Sequence, residues 1–496
     1  MARSPLFRLL TRAAGPTRRD LLRGSAAAFA LACAPRVARG PSTGPTGPPR
    51  RAPADAKIVV VGAGLAGLAA TDALVKAGAH VTCVDLAARA GGRVLSAPPG
   101  SAGQVVELGA EFIDSDHEHV LALAREVGLE LVDLGAPAEA ALDDVVFVGG
   151  IARPEADVTA ALRALGAKLA PDVAAVASID HATPQGAPAA KLDHTPLDRY
   201  LDDLGLPAWM RALLDVAYVG EFGRQTAEQS AVNLLTLFDP ARAALFGTSD
   251  ERYRIRGGNE QLVRALGERV AGHVELERRL TRLASRGARF ELSFERGAPL
   301  TADAVVLALP FTALRGVDLG IELPPAKRHV IATLGYGQNS KLCVETRDRP
   351  WRTAHRSGGT YSDLPFQTAW DATRGTAGAT GTMTIFVGGD EALAVAKGTP
   401  ASELERLLPG LERAQPGVAK AAGKVRRMAW SQVPGIEASY ACYTVGQWST
   451  LHGLEAAPVG RVTFAGEHTS AIAQGYMEGA LESGARAANE VLAALA

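Results

Sequence analysis

Three glycines, Gly62, Gly64 and Gly67, stand at the spacing G-x-G-x-x-G directly behind the apolar run Ile58–Val61. Residues so placed hold phosphate. Gly62 permits a tight turn, Gly64, with Ala63 before it, lets the backbone approach a pyrophosphate, and Gly67 lets a helix pack closely on a strand. Asp85 lies about twenty residues past the glycines, where an acid accepts from a ribose 2′-hydroxyl. An acid there disfavours a 2′-phosphate and hence NADP, while NAD and FAD both stay open on this motif alone. A second Gly-rich turn, Arg89–Val94, carries Gly91, Gly92 and Arg93. An NAD domain has no need of it, whereas FAD extends beyond the dinucleotide fold and its pyrophosphate gains a guanidinium contact. A third small-residue turn, Gly109-Ala110 within Glu107–Phe112, offers backbone to a flat ring.

The elements that must position these residues can be read around them. Ile58–Val61 has the unbroken apolar character of a strand buried on both faces of a parallel sheet. A helix begins near Leu65, with Leu65, Leu68, Ala69, Ala73 and Leu74 on one face, and ends at Gly78; His80–Val84 is a second strand, with Cys83 in the core. At the far end of the chain Val462–Phe464 reads as a strand, Ala465-Gly466-Glu467 as a turn, and Gly475–Leu495 as a long helix with Met477, Ala480, Leu481 and Gly484 on one face. The start of that helix, at Gly475 and Tyr476, presents a positive dipole end suited to negative charge on a reduced flavin ring.

With 496 residues the chain exceeds one hydrophobic core, so two domains are expected. A formal net charge of −1 and 47% hydrophobic residues give no basic excess for nucleic acid. No uninterrupted apolar stretch reaches about eighteen residues, so no transmembrane span is expected. Four cysteines supply no disulfide framework, and no Cys or His cluster has metal-ligand spacing. At the N-terminus, Arg18-Arg19 and Leu21-Leu22 precede the short Ala-rich segment Ser25–Ala34. This resembles a twin-arginine export signal over residues 1–38, which implies the periplasm, followed by a Pro/Gly-rich linker over 39–54. Cys33 ends a degenerate lipoprotein box, which leaves a lipid anchor open.

Taken together, GAGLAGL, ARAGGRV, ELGAEF, QNSKLCVE and FAGEHTS…QGYMEGALESG resemble the flavin-containing amine oxidase family, from Lys57 to the C-terminus. The stretch Leu134–Arg254 matches little. The resemblance implies an α/β fold: a Rossmann-like FAD-binding domain from 55–108, 254–323 and 461–496, interleaved with an α+β substrate domain from 109–253 and 324–460. It implies a loop and helix in the stretch from Arg254 to Val270, a strand over 273–283, a strand over Ala304–Leu309, and substrate-domain strands at Leu342–Glu345 and Thr382–Val387. By the family pattern Leu280 meets adenine through its backbone, Arg93 binds phosphate, Glu467 lies beside the ribityl-phosphate arm, and Met477 sits with the cofactor at the last helix. Lys341 matches the lysine that faces flavin N5, usually through a water. Tyr476 matches one wall of an aromatic cage around the amine.

Cys442-Tyr443-Thr444 looks like the covalent flavin attachment of some members. The ungapped register instead places Ala438 at the linking position and Ser439 at the second cage wall, so non-covalent FAD is expected. Trp430 lies near the site by the same register. The implied reaction is oxidation of an amine C–N bond by hydride transfer to the flavin, with O2 or a redox carrier as acceptor. The alternatives are an L-amino acid oxidase, for which Arg224 and Arg315 are candidate carboxylate partners, a phytoene- or protoporphyrinogen-type desaturase, and a non-catalytic flavin-binding protein. His452 and His468 could be proposed as bases, but a lone histidine is more often structural. No metal is expected, and a homodimer is left open.

Overall fold

The apolar runs do form a buried parallel sheet. In the computed structural model, which describes residues 51–53, 55–100 and 103–496, its strands are β1 (Lys57–Val61), β2 (His80–Val84), β3 (Val274–Glu275), β4 (Ala304–Leu307) and β5 (Val462–Phe464), in the order β5-β4-β1-β2-β3. The expected export signal, Arg18, Arg19, Cys33 and most of the linker lie outside the described residues. All pairings are parallel, with Ile58 opposite both Val81 and Ala304, and Val305 opposite Val462. One sheet thus draws strands from three stretches far apart in the chain. No helix of the described residues is long and apolar enough to cross a membrane.

Two helices set the geometry on one face of this sheet. Helix α1 (Leu65–Lys76) leaves β1 through Gly62, whose φ of +107° and nearness to Ala308 exclude a side chain: a Cβ would lie 2.5 Å from the Ala308 carbonyl oxygen. Helix α3 (Met477–Leu495) lies against α1, the two sharing a core with Leu65, Leu68, Leu481 and Val491. Gly484 permits that approach, since a Cβ there would stand 2.3 Å from the Ala66 carbonyl oxygen. Between the two in sequence, α2 (Glu118–Glu126) docks on the start of α3. The last helix begins at Met477, two residues after the expected Gly475, and β4 stops at Leu307 rather than Leu309.

The stretch 273–283 is not one strand. Val274–Glu275 joins the parallel sheet, whereas Leu280–Arg286 joins a separate four-stranded sheet, and Glu277 turns the chain between them with φ +58°. The largest sheet has seven strands. Next to one edge of it, Asn339–Thr346 runs antiparallel to both Gly381–Gly388 and Ala422–Ala429, which places Lys341 opposite Phe386 and Met428. The region that matched little in sequence is largely helical, at 155–176, 188–193, 197–203, 208–222 and 232–237. These helices close over their own core of Leu162, Leu165, Leu213, Leu214 and Leu234.

Candidate functional site

A cavity opens between the parallel and seven-stranded sheets. Its wall includes Gly62, Gly64, Asp85, Gly91, Gly92, Arg93, Gly109, Ala110, Lys341, Gly466, Glu467, Tyr476 and Met477. Residues from both ends of the chain therefore line one space. Trp430, Phe386, Tyr440, Asn339 and Ser439 complete it on the side of the seven-stranded sheet. Three expected site residues do not line it. Gly67 sits behind the wall, where a Cβ would stand 1.7 Å from the Gly62 carbonyl oxygen, as its packing role requires. The Ala63 amide is turned to Asp85. Leu280 opens the first strand of the four-stranded sheet with its side chain buried among Leu283, Leu292 and Phe311, a burial that concerns the side chain and not the backbone by which it is expected to meet adenine.

The dinucleotide end is built from backbone and opposed charges. The Asp85 carboxylate accepts from the Ala63 amide (2.7 Å) and the Ala87 amide (2.8 Å). Burial pushes its pKa up, and these two amides oppose the rise. The two glycine turns are stitched together by a bond from the Gly91 amide to the Ala63 carbonyl (2.8 Å). A Cβ at Gly64 would meet no protein atom nearer than the Gly92 Cα at 3.9 Å, so the space beside it belongs to the cavity. Helix α1 opens on Gly64 without a side-chain cap and without an acid in its first turn, leaving N–H donors for a phosphate. Arg93 Nη1 donates to Glu467 Oε1 (2.8 Å) and to the Ser439 carbonyl (2.6 Å), while Glu467 Oε2 accepts from the Gly475 amide (2.8 Å). The start of α3 also has no side-chain cap at Tyr476. Glycine backbone, two uncapped helix starts and a guanidinium fit an elongated diphosphate such as FAD.

Behind the Gly109-Ala110 wall lies a buried charged cluster that sequence reading missed. Lys341 Nζ donates to Glu111 Oε2 (2.7 Å), the Gly109 carbonyl (2.9 Å) and the Glu107 carbonyl (3.2 Å). These three acceptors fix the ammonium in the cavity wall. Glu111 Oε1 accepts from Trp370 Nε1 (2.9 Å). Glu107 accepts from the Asn259 amide and the Ser96 hydroxyl, yet burial lifts its pKa to about 7. Arg254 is buried nearby, where burial depresses its pKa and Glu111 is the first of the carboxylates opposing that shift. The only signal for Glu111 in the sequence was an acid inside a small-residue turn.

Other candidates are turned away. Cys442 is fully buried in the helical core, its Sγ directed to the Asn233 amide group, and burial lifts its thiol to about 12. Ala438 is in the core beside the sheet; Ser439 reaches the cavity and donates to Asn339 Oδ1 (2.6 Å). Trp430 packs on Gly109, where a Cβ would lie 3.1 Å from its ring. His452 Nδ1 faces the Tyr443 hydroxyl (2.9 Å), and the buried His468 ring stands edge-on to Phe311, with burial holding its pKa well below the usual range. Neither histidine lines the cavity. Arg224 and Arg315 belong to a separate surface depression and bond the carbonyls of Tyr336, Ile331 and Leu334. Asp114, Asp116 and His117 come close together, a grouping that had no signal in sequence; Asp114 and Asp116 brace the loop at Thr248 and Glu251.

The family model for flavin-containing amine oxidoreductases matches residues 65–492. An L-amino-acid oxidase of Pseudechis australis is 22% identical over 464 residues, covering 88% of this chain and 86% of the relative. A nicotine dehydrogenase of Pseudomonas putida is 25% identical over 446 residues, covering 88% of each. The solved cyclohexylamine oxidase of Brevibacterium oxydans superposes with a TM-score of 0.77 at 23% identity, over 88% of this chain and 99% of that one.

Proposed function

The chain belongs to the flavin-containing amine oxidoreductases, and from that premise we propose that it oxidises a C–N bond of an amine bearing no carboxylate. FAD is the cofactor, and when bound it supplies the two-electron acceptor for that oxidation. Gly62, Gly64, Gly92, Arg93 and Glu467 are the residues we assign to hold it. Non-covalent binding is supported by the burial of Cys442 away from the cavity.

The observation that carries the substrate reading is the state of the cations in the wall. Those lining the cavity are Arg89, Arg93 and Lys341. Arg89 bonds the carbonyls of Ala90, Gly92 and Val94, Arg93 pairs with Glu467, and Lys341 pairs with Glu111. Each of the three is already hydrogen-bonded within the protein, and Arg93 is assigned to the cofactor besides, so the wall holds no cation set aside for a substrate carboxylate. The remaining wall offers Tyr476, Trp430, Phe386, Tyr440 and Met477, surfaces that favour an apolar amine by desolvation and by contact with ring faces. The acids in the wall, Asp85 and Glu467, are committed to backbone amides and Arg93. The amine must therefore arrive uncharged or shed its proton to solvent.

Anaerobic mixing with a panel of amines and amino acids, followed by flavin absorbance, tests this. Apolar amines should bleach the flavin and L-amino acids should leave it oxidised. Bleaching by amino acids alone would establish the L-amino acid oxidase reading that several relatives' names suggest. Export by the twin-arginine route to the periplasm, with O2 as the electron acceptor, completes the proposal. Joint replacement of Arg18→Lys and Arg19→Lys should strand the protein in the cytoplasm, and unchanged export would refute that part.

A further inference from the structure

We propose that Glu111 is a positioning residue that sets the charge presented to the cofactor by Lys341. The inference rests on the FAD-dependent reading above, but not on the identity of the substrate. Both members of the pair are buried: the lysine side chain is 5% exposed and the glutamate side chain 1%. An isolated ammonium at such a depth is strongly disfavoured, and a paired one persists only with its hydrogen bonds satisfied. Glu111 meets that requirement on one side and is itself fixed on the other by Trp370 Nε1. The Trp370 ring is wedged between Phe112 and Phe386, tilted against both with centroids 5.7 and 5.6 Å away, so the carboxylate is held by a packed partner. The Glu111 backbone carbonyl is pinned in turn by Asn259 Nδ2 (2.7 Å).

The consequence is electrostatic. Lys341 lines the cavity, and two of its three bonds go to carbonyls of the 107–109 turn that forms the wall. Its charge is therefore placed for the cofactor, but Glu111 balances it at 2.7 Å. Exchange of Glu111 for glutamine keeps the shape and leaves the ammonium unbalanced. While the lysine stays protonated, the added positive charge favours the reduced, anionic cofactor. Glu107, Arg254 and Cys343 also face this pair. They are common to every variant below, so the lysine-dependent part emerges as a difference.

The test is the midpoint potential of the bound FAD, by reductive titration without substrate, in wild type, Glu111→Gln, Lys341→Met and the double variant. Glu111→Gln should shift the potential upward, and the same exchange in the Lys341→Met background should shift it little. A potential for Glu111→Gln equal to that of wild type overturns the proposal, as does an equal shift with and without the lysine. Glu111→Asp, which draws the carboxylate back by one methylene, is the second variant should the glutamine not fold; it should give a smaller shift of the same sign, and no shift overturns the proposal. Because no amine enters the titration, failure here is separate from failure of the amine panel.

Discussion

At the scale of single residues, Asp85 illustrates how one carboxylate organises a binding surface before any ligand arrives. It ties the first glycine turn to the end of β2 through two amides. Asp85→Ala orphans both, at roughly 1–3 kcal/mol for each buried amide. FAD affinity, measured by titrating stripped protein, should fall at least tenfold. Cys442 makes the opposite prediction: acid precipitation should release the yellow colour into the supernatant, and Cys442→Ser should release it equally. Asp85 was legible in sequence because its role depends on local spacing from the glycines. The Lys341–Glu111–Trp370 cluster was not. Its members lie 230 and 259 positions apart from Glu111, and nothing local to any of them announces a partner. The exclusion of Arg224 and Arg315 was equally hidden, since only the packing of the helix at 325–333 turns Arg315 onto carbonyls.

At the scale of elements, the docking of α2 on α3 runs through one acid. Glu478 accepts from the amides of His119 and Val120 and from His119 Nδ1 (2.7 Å), so it caps α2 from another helix. Burial pushes Glu478 up, but the His119 imidazole and the two amides outweigh it and hold its pKa below the usual range. The bond to Glu478 raises His119, against burial. A lowered carboxylate stabilises above its unfolded pKa and loses that contribution as pH falls. A raised imidazole stabilises below its unfolded pKa and loses it as pH rises. Both terms are fully present only between about pH 4.3 and 6.5, the ordinary values of Glu and His. Glu478→Gln should therefore lower the melting temperature most within that window and less at pH 9. Strands and helices with a clear apolar period were readable from sequence to within three residues, the strand expected at Leu342–Glu345 running from Asn339 to Thr346. The stretch 273–283 was misread as continuous because its alternating pattern persists through a left-handed residue, Glu277, where the chain changes sheets. The helical region between residues 155 and 237 formed no legible motif because its helices bury apolar faces against one another and carry no cavity-lining residue.

At the scale of the molecule, the commitment of both carboxylates in the cavity wall, Asp85 and Glu467, to backbone amides and Arg93 predicts the pH profile of turnover. For amines of different basicity, kcat/KM should rise with pH and level off near each substrate's own ionisation rather than at one fixed enzyme value. A common inflection for all substrates would require a base in the wall. The close approach of α3 to α1 carries a further prediction. Gly484→Val overpacks the contact with Ala66, at about 1–3 kcal/mol. It should weaken FAD retention more than a comparable change on the exposed face of α3, because both helix starts line the cavity.

That same contact has a bearing on biosynthesis. Gly466, Tyr476 and Met477 contribute to the wall, so the nascent polypeptide has no complete cavity while only its first four hundred or so residues, about 400, have emerged. Flavin loading is thereby postponed until these late wall residues have been made. A message truncated before the final helix would yield a colourless product, and pigmentation becomes a visible certificate that synthesis ran to its last helix.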